Sequence, residues 1–227
     1  MKVADGIYRI DGVSGNAYIM TGEKLTLIDT GMAGSGKKIV EFIRTTLKMN
    51  EHELDTIVIT HQHIDHAGSA LWLRNQTGAR IAIHEADAPY VSGETKPLGP
   101  KGATGIAFAL FSPFFRMMTF SPDVKLKNGD VVGTLHVLHI PGHTPGSIAL
   151  FDPGQNVAFT GDIISSRSGR VEFAPDAFNH DGEQMRKSLG TLVDRKFNTL
   201  FPGHGDPITG DAVRAFAERE GVARRSS

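Results

Sequence analysis

Short apolar runs rich in β-branched residues alternate with glycine-containing turns in the first part of the chain, which is the pattern of β-strands. The predicted strands cover residues 7–10, 17–20, 25–29, 56–60 and 80–84. Between the third and fourth strands, the apolar residues Ile39, Val40 and Ile43 recur at helical spacing among Lys and Glu. This spacing predicts a surface helix that packs on the sheet. A second, short helix is predicted around Leu71 and Trp72.

The second part of the chain repeats this arrangement in outline. Strands are predicted at residues 135–140, 147–151, 156–160 and 199–201. Asp181 and Gln184 have the spacing of a capping box at the start of a helix. That helix would place four apolar residues on one face: Met185, Leu189, Leu192 and Val193. A last helix is predicted from Asp211, and it would bury Val213, Phe216 and Ala217.

The densest chemical motif is Thr60-His61-Gln62-His63-Ile64-Asp65-His66, which follows directly on the predicted strand at 56–60. Three histidines so close together would repel one another when the imidazoles are protonated, and a metal ion shared by these histidines and the aspartate removes that conflict. Neutral imidazole and carboxylate are ligands that suit zinc, and also iron or manganese. The motif therefore predicts a metal site at the end of a strand.

His61, His63, Asp65 and His66 resemble the signature of the metallo-β-lactamase fold superfamily of metallohydrolases, in its lactonase and glyoxalase II-like branch. Further residues that match the pattern of this family are Asp29, His143 in Pro-Gly-His-Thr, Asp162 in Thr-Gly-Asp, and His204 in Pro-Gly-His-Gly. The resemblance implies an α/β fold with α+β type layers, an αββα sandwich of two mixed β-sheets flanked by helices. We expect a single domain over residues 1–227, with an apolar insert at about 89–122.

The same resemblance implies two metal ions per chain, which we expect to be Zn²⁺, with iron or manganese as alternatives. Its ligand set is His61, His63 and His143 for one metal, Asp65, His66 and His204 for the other, and Asp162 as the bridge. A hydroxide held between the metals would be the nucleophile. Asp65 and Asp162 are thus predicted to be catalytic, and His180, beside Asp181, is predicted to donate a proton to the leaving group. Asp29 is predicted to accept a hydrogen bond from a ligand or to hold the local turn.

Composition limits the classes of partner. The chain has 227 residues, of which 40% are hydrophobic and 22% charged, and its formal net charge is −1. We therefore expect a small-molecule substrate and neither nucleic acid nor membrane as a partner, with a homodimer left open. The chain contains no cysteine, so every ligand must be histidine or carboxylate. No signal peptide or membrane-spanning segment is predicted, and a cytoplasmic location is the expectation.

The motifs do not define the class of substrate. The leading hypothesis is the hydrolysis of a lactone, a thioester or a related carboxylic ester. The alternatives are a phosphodiesterase acting on a small substrate, or an iron-dependent oxidoreductase of the same fold, either a sulfur dioxygenase or a diiron enzyme. Acylhomoserine lactonases of this superfamily carry a tyrosine shortly after the bridging aspartate, whereas Ile163 to Ser166 follow Asp162 here. The aromatic residues between Phe108 and Phe120 are predicted to form a lid, core or dimer face.

Overall fold

The computed structural model describes residues 1–102, 105 and 118–222, and most of its strands form two mixed sheets. The first sheet has seven strands in chain order: β1 (Lys2–Ala4), β2 (Ile7–Ile10), β3 (Ala17–Met20), β4 (Leu25–Ile28), β5 (Leu54–Ile59), β6 (Arg80–His84) and β7 (Val124–Leu126). Strands β1 to β4 form an antiparallel meander, whereas β4 to β7 pair in parallel.

Helices make the connections that the parallel strands require. Helix α1 (Gly36–Thr45) and a 3₁₀ turn (Glu51–Glu53) join β4 to β5. Helices α2 (Ile64–Ala67) and α3 (Ala70–Thr77) join β5 to β6, and α4 (Ala88–Ser92) follows β6. Among the described residues, no helix combines the length and the apolar character needed to cross a membrane.

The second sheet has six strands, and a separate hairpin is inserted between two of them. In chain order the elements are β8 (Val131–Val132), β9 (Leu135–His139), β10 (Ile148–Asp152), β11 (Val157–Gly161), the hairpin β12 (Ser165–Arg167) and β13 (Arg170–Glu172), a 3₁₀ turn (Asp176–Phe178), α5 (Gly182–Val193), β14 (Thr199–Pro202), β15 (Ile208–Thr209) and α6 (Gly210–Arg219). The order across the sheet is β15, β14, β11, β10, β9, β8. Strands β11 and β14 are parallel, and the other pairs are antiparallel.

Three apolar layers hold the elements together. The first lies between α1, α3 and the first sheet, and the last lies between α5, α6 and the second sheet. The middle layer lies between the two sheets, where the rings of Tyr18, Phe159 and Phe201 have centroids 5.2–5.5 Å apart. Each such aromatic buries a large apolar area, so this trio contributes strongly to the cohesion of the sheets. The predicted αββα sandwich is confirmed.

The bounds of the long elements match their prediction closely, because their apolar periodicity is clear. Strands β2, β3 and β6 have the predicted bounds. The strands that the pattern missed are β1, β7, β8, β12, β13 and β15, each of two or three residues and too short to show a period. The capping box is half formed: Asp181 accepts from the backbone N–H of Gln184, but the Gln184 side chain contacts Ser188.

The predicted apolar insert at 89–122 lies partly outside the described residues, since 103–104 and 106–117 are among those not described. At its start, α4 packs Val91 into the first apolar layer. At its end, Phe120 is buried in the same layer, whereas Met118 is exposed. These two buried ends are core, and the prediction of a lid or dimer face for the remaining aromatics stays a prediction.

Tyr18 ties the two sheets together through its hydroxyl, which donates to the carbonyl of Pro202 at 2.8 Å and accepts from Asn16 Nδ2 at 3.0 Å. We expect Tyr18→Phe to lower the free energy of unfolding by about 1 kcal/mol, because the Pro202 carbonyl keeps Asn16 Nδ2 as a donor at 2.9 Å. Urea denaturation measures this change. The control is Tyr8→Phe, because the Tyr8 ring packs edge-on against Phe42. An equal loss of unfolding free energy in both variants would contradict the stabilising role of the Tyr18 hydroxyl.

Candidate metal centre

The predicted metal ligands lie at one edge of the sandwich, where parallel strands of both sheets end. His61 follows β5, Asp162 follows β11, and His204 follows β14. His143 lies in the loop after β9, which runs in the same direction as β11 because both pair antiparallel with β10. The two sheets are joined at this edge by the backbone N–H of Ile148, which donates to the carbonyl of Thr60 at 3.0 Å. Residues far apart in sequence therefore meet in one place.

All seven predicted ligands are brought together in three overlapping groups, within each of which the donor atoms lie within 4.8 Å of one another. The groups are His61 with His63 and His143, His61 with His66 and Asp162, and Asp65 with His66 and His204. Asp162 lies close to histidines of both predicted sites. Its Oδ1 lies 3.4 Å from His66 Nε2. Its Oδ2 lies 3.3 Å from His204 Nε2 and 3.7 Å from His143 Nε2.

Hydrogen bonds at the outer nitrogens of three imidazoles fix their orientation. His66 Nδ1 donates to Asp29 Oδ2 at 2.8 Å, and His143 Nδ1 donates to Asn179 Oδ1 at 2.8 Å. His61 Nδ1 lies 3.1 Å from the hydroxyl of Thr60, which itself donates to Asp29. Each bond places a proton on Nδ1, so that Nε2 is the ring nitrogen that faces the centre.

The inner atoms of the cluster fit a metal ion. His61 Nε2, His66 Nε2 and Asp162 Oδ1 are buried and have no hydrogen-bond partner among the described residues. A buried polar atom left without a partner costs roughly 1–3 kcal/mol, so three in one place call for a shared ligand. His63 Nδ1 and His143 Nε2 also lie only 2.9 Å apart. Imidazole and carboxylate donors in this arrangement suit a divalent metal.

The electrostatics keep three of the imidazoles in the form that binds metal. Burial lowers the pKa of His61 well below its ordinary value, and it lowers the pKa of His63 to about 3. The pKa of His143 is lowered for the same reason. These rings are therefore neutral at pH 7, as a metal ligand must be.

The carboxylates carry the opposing charge. Burial tends to raise the pKa of Asp65, but His66 and His204 outweigh it and hold this pKa at about 2. Burial likewise opposes ionisation of Asp162, yet His66 and His204 hold its pKa well below the ordinary value. In return, hydrogen bonds to Asp162 and Asp65 raise the pKa of His204 to about 9. The centre thus has two ionised carboxylates that attract cationic groups.

The predicted role of Asp29 agrees with its contacts. Besides the bond from His66, its Oδ1 accepts from the backbone N–H of Thr60 at 2.8 Å. Two other buried residues near the centre, Asn179 and Asp87, were not predicted, because neither belongs to a motif. Asn179 is buried, and its Nδ2 donates to the carbonyl of Ala174 at 2.9 Å, which orients the oxygen that faces His143.

Two segments border the centre near His180. The backbone N–H of His180 donates to the carbonyl of His143 at 3.0 Å, and its side chain is exposed. The Lys101 side chain donates to the carbonyl of His180 at 2.7 Å, and the Lys101 backbone N–H donates to Ala177. On the other side, Gln62 Nε2 donates to the carbonyl of Leu98 at 3.3 Å. The part of the predicted insert at 98–101 is thus bonded to the loop that carries His61 and His63 and to the segment at 177–180.

A family model of the metallo-β-lactamase superfamily matches residues 10–204. The chain belongs to the metallo-β-lactamase superfamily. YobT of Bacillus subtilis, an uncharacterized protein, is 30% identical, with 84% of this chain and 82% of the relative covered. YflN, a probable metallo-hydrolase of the same organism, is 26% identical, and the match covers 94% of this chain and 89% of YflN. MBLAC2, a human acyl-coenzyme A thioesterase, is 27% identical, and the match covers 89% of this chain and 79% of MBLAC2.

Solved structures agree with this membership of the metallo-β-lactamase superfamily. TTHA1623 in a di-iron-bound form is 26% identical with a TM-score of 0.67, and the match covers 90% of this chain and 94% of that one. TTHA1429 of Thermus thermophilus shares the fold, with a TM-score of 0.71 at 22% identity over 96% of this chain and 79% of that one. Superfamily membership and the histidine–aspartate cluster identify the chain as a metal-dependent hydrolase.

Two histidines outside the cluster stack on each other across the sheets. The rings of His84 on β6 and His139 on β9 are 4.0 Å apart with an interplanar angle of 14°. His139 Nε2 donates to the carbonyl of Pro145 at 2.8 Å. His136 instead stacks on Phe151, so that His136 and His139 face opposite sides of their sheet. His84 is buried in this pair.

This pair predicts a loss of stability in acid. Burial and the neighbouring His139 lower the pKa of His84 to about 4, whereas the unfolded chain binds a proton near 6.5. Because the unfolded state binds more protons between these values, the stability contributed by neutral His84 is lost as the pH falls from about 6.5 towards 4. We expect His84→Phe to reduce the difference in unfolding free energy between about pH 7.5 and about pH 5, measured by urea denaturation. The exposed His52→Gln should keep the wild-type difference, and an unchanged difference in His84→Phe would contradict the assignment.

Proposed function

We propose that this chain hydrolyses a lactone, a thioester or a related carboxylic ester with two divalent metal ions held at the edge of the sandwich. The observation that carries the proposal is the position of Asp162, whose Oδ1 faces His66 and whose Oδ2 faces His143 and His204. A carboxylate that lies within 3.7 Å of histidines of both proposed sites is suited to bridge two cations, and its charge reduces their repulsion.

The seven residues divide between two ions. His61, His63 and His143 would hold the first, Asp65, His66 and His204 would hold the second, and Asp162 would contact both. Bound there, the metals would supply a water nucleophile activated at neutral pH and Lewis-acid polarisation of the scissile carbonyl. We expect zinc, and the di-iron-bound form of TTHA1623 keeps iron as an alternative.

The residues of the chain have separate tasks in this proposal. Asp29 and Asn179 hold the outer nitrogens of His66 and His143, so that the inner nitrogens stay aimed at the metals. His180 adjoins the centre through its backbone bond to His143, and its exposed ring is the proposed proton donor to the leaving group. The segment at 98–101, bonded to Gln62 and His180, is the proposed start of the substrate-binding wall.

An acyl substrate is favoured over a nucleic acid. The human relative MBLAC2 is named an acyl-coenzyme A thioesterase, and it matches most of this chain. The formal net charge of −1 provides no long-range attraction to a polyanion. A small thioester or lactone therefore ranks first, and the lactonase and glyoxalase II-like branch remains a prediction.

Metal content tests the proposed ligand assignment. We expect about two metal ions per wild-type chain, loss of the first ion in His143→Ala, and disturbance of both sites in Asp162→Ala. Inductively coupled plasma mass spectrometry after dialysis gives the stoichiometry and identifies zinc or iron. His52→Ala, an exposed histidine outside the cluster, should keep the wild-type content. A wild-type chain that holds a single ion would contradict the two-metal assignment.

A substrate panel tests the reaction class. We expect the metal-loaded protein to hydrolyse acyl thioesters or lactones with kcat/KM roughly 100-fold or more above that for phosphodiesters, about 2.7 kcal/mol of selective transition-state binding. The panel should include a β-lactam, because the name of a fold is no evidence for that activity. His180→Gln should lower kcat for poor leaving groups more than for good ones if its ring donates the proton. A preference for phosphodiesters would overturn the acyl assignment.

A further inference from the structure

Asp87, at the start of α4, is fully buried and does not belong to the proposed ligand set. Its carboxylate accepts three hydrogen bonds. Oδ2 accepts from the backbone N–H of Gln62 at 2.8 Å and from the hydroxyl of Thr144 at 2.7 Å. Oδ1 accepts from the backbone N–H of Gly146 at 2.7 Å. No hydrogen bond runs from Asp87 to a proposed metal ligand among the described residues, so its role must pass through these donors.

The donors belong to the two loops that carry the first group of histidines. Gln62 lies between His61 and His63, in the loop after β5 of the first sheet. Thr144 follows His143, in the loop between β9 and β10 of the second sheet. A single oxygen, Asp87 Oδ2, is bonded to both loops. The carboxylate thereby joins the two sheets at the point where His63 Nδ1 and His143 Nε2 come within 2.9 Å.

The surroundings of Asp87 are shaped to receive a carboxylate. A Cβ at position 146 would lie 2.6 Å from Asp87 Cγ and 2.7 Å from its Cβ, so only glycine allows this approach. The Thr144 hydroxyl is 2.8 Å from Ser147 Oγ, which in turn accepts from the Thr144 backbone N–H at 2.9 Å. With Ser147 on its other side, the Thr144 hydroxyl is set to donate to Asp87. The three groups that contact the Asp87 carboxylate are all hydrogen-bond donors. An asparagine at position 87 would have to turn its NH₂ group, which is itself a donor, towards one of them.

We propose that Asp87 is the positioning residue of the first metal site: it sets the spacing between the His61–His63 loop and His143, and through that spacing the affinity for the metal. This inference rests on the proposed function, because it needs a metal at these three histidines. Asp29 has the corresponding place on the other side, since it bonds His66 and the backbone of Thr60. Removal of the Asp87 carboxylate should therefore weaken the first site selectively.

The test compares Asp87→Asn with a matched variant, Asp152→Asn. Asp152 is also buried, and its carboxylate accepts hydrogen bonds from Thr134, Gly154 and Gln155. It is the last residue of β10 and lies at the end of the strands opposite the proposed metal centre. Metal-free proteins are titrated with Zn²⁺ against a chromophoric chelator, and with Co²⁺, whose electronic spectrum reports the ligand geometry. We expect Asp87→Asn to weaken the first site on the order of 10–100-fold and to alter its Co²⁺ spectrum, with the second site retained. Asp152→Asn should lose stability without either change.

Thr144→Val provides a second variant if Asp87→Asn fails to fold, because it removes one donor and leaves the carboxylate in place. It should weaken the same site in the same direction. Two metals in the wild type with unchanged affinities in Asp87→Asn or Thr144→Val would overturn the positioning role and leave the proposed function intact. Equal weakening of both sites, or an effect matched by Asp152→Asn, would also overturn it. A wild type that binds no metal at His61, His63 and His143 would overturn the proposed function and the inference together.

Discussion

The buried carboxylate of Asp162 is the constraint on which the rest of the centre depends. An ionised carboxylate away from water is unfavourable unless cationic groups or strong donors surround it. His66 and His204 supply that compensation and hold the pKa of Asp162 well below its ordinary value. The same carboxylate lies between the two groups of proposed ligands and is close to residues of both. The positions of His66 and His204 therefore meet the need to surround one buried negative charge.

The sandwich meets this need because strands of both sheets end at one edge. A single sheet would present its strand ends in a row, whereas two packed sheets present two rows that face each other. The middle apolar layer holds these rows at a constant distance, and the Tyr18 to Pro202 hydrogen bond and the Ile148 to Thr60 bond join them directly. Asp29 and Asp87 then adjust the loops within that frame. Rigid supports of this kind keep ligands in place with little reorganisation when a metal binds.

The proposed metal centre and the proposed substrate-binding wall come from different parts of the chain, which would separate the chemistry from the choice of substrate. The ligands lie on loops held by strand ends and buried carboxylates. The segment at 98–101 reaches the same region only through hydrogen bonds to Gln62, Ala177 and His180, among the described residues. Changes in such a segment can alter what binds without disturbing the ligand geometry. This arrangement is consistent with a superfamily that contains both a metallo-hydrolase and a thioesterase among the relatives of this chain.

The sequence alone determined the metal-binding motif and the long strands, because these depend on local patterns, whereas the order of layers was implied by the resemblance to the metallo-β-lactamase superfamily. His61, His63, Asp65 and His66 lie within six residues, and their chemistry is evident without a structure. The short strands such as β8 and β15 were missed, since two residues have no period and exist only through pairing. Asp87 and Asn179 could not be found either. Asp87 acts on donors 25 and 57 residues away, and Asn179 lies 36 residues from His143. Contacts at such separations are decided by how the two sheets pack, and nothing in the local sequence distinguishes these residues from ordinary loop aspartates and asparagines.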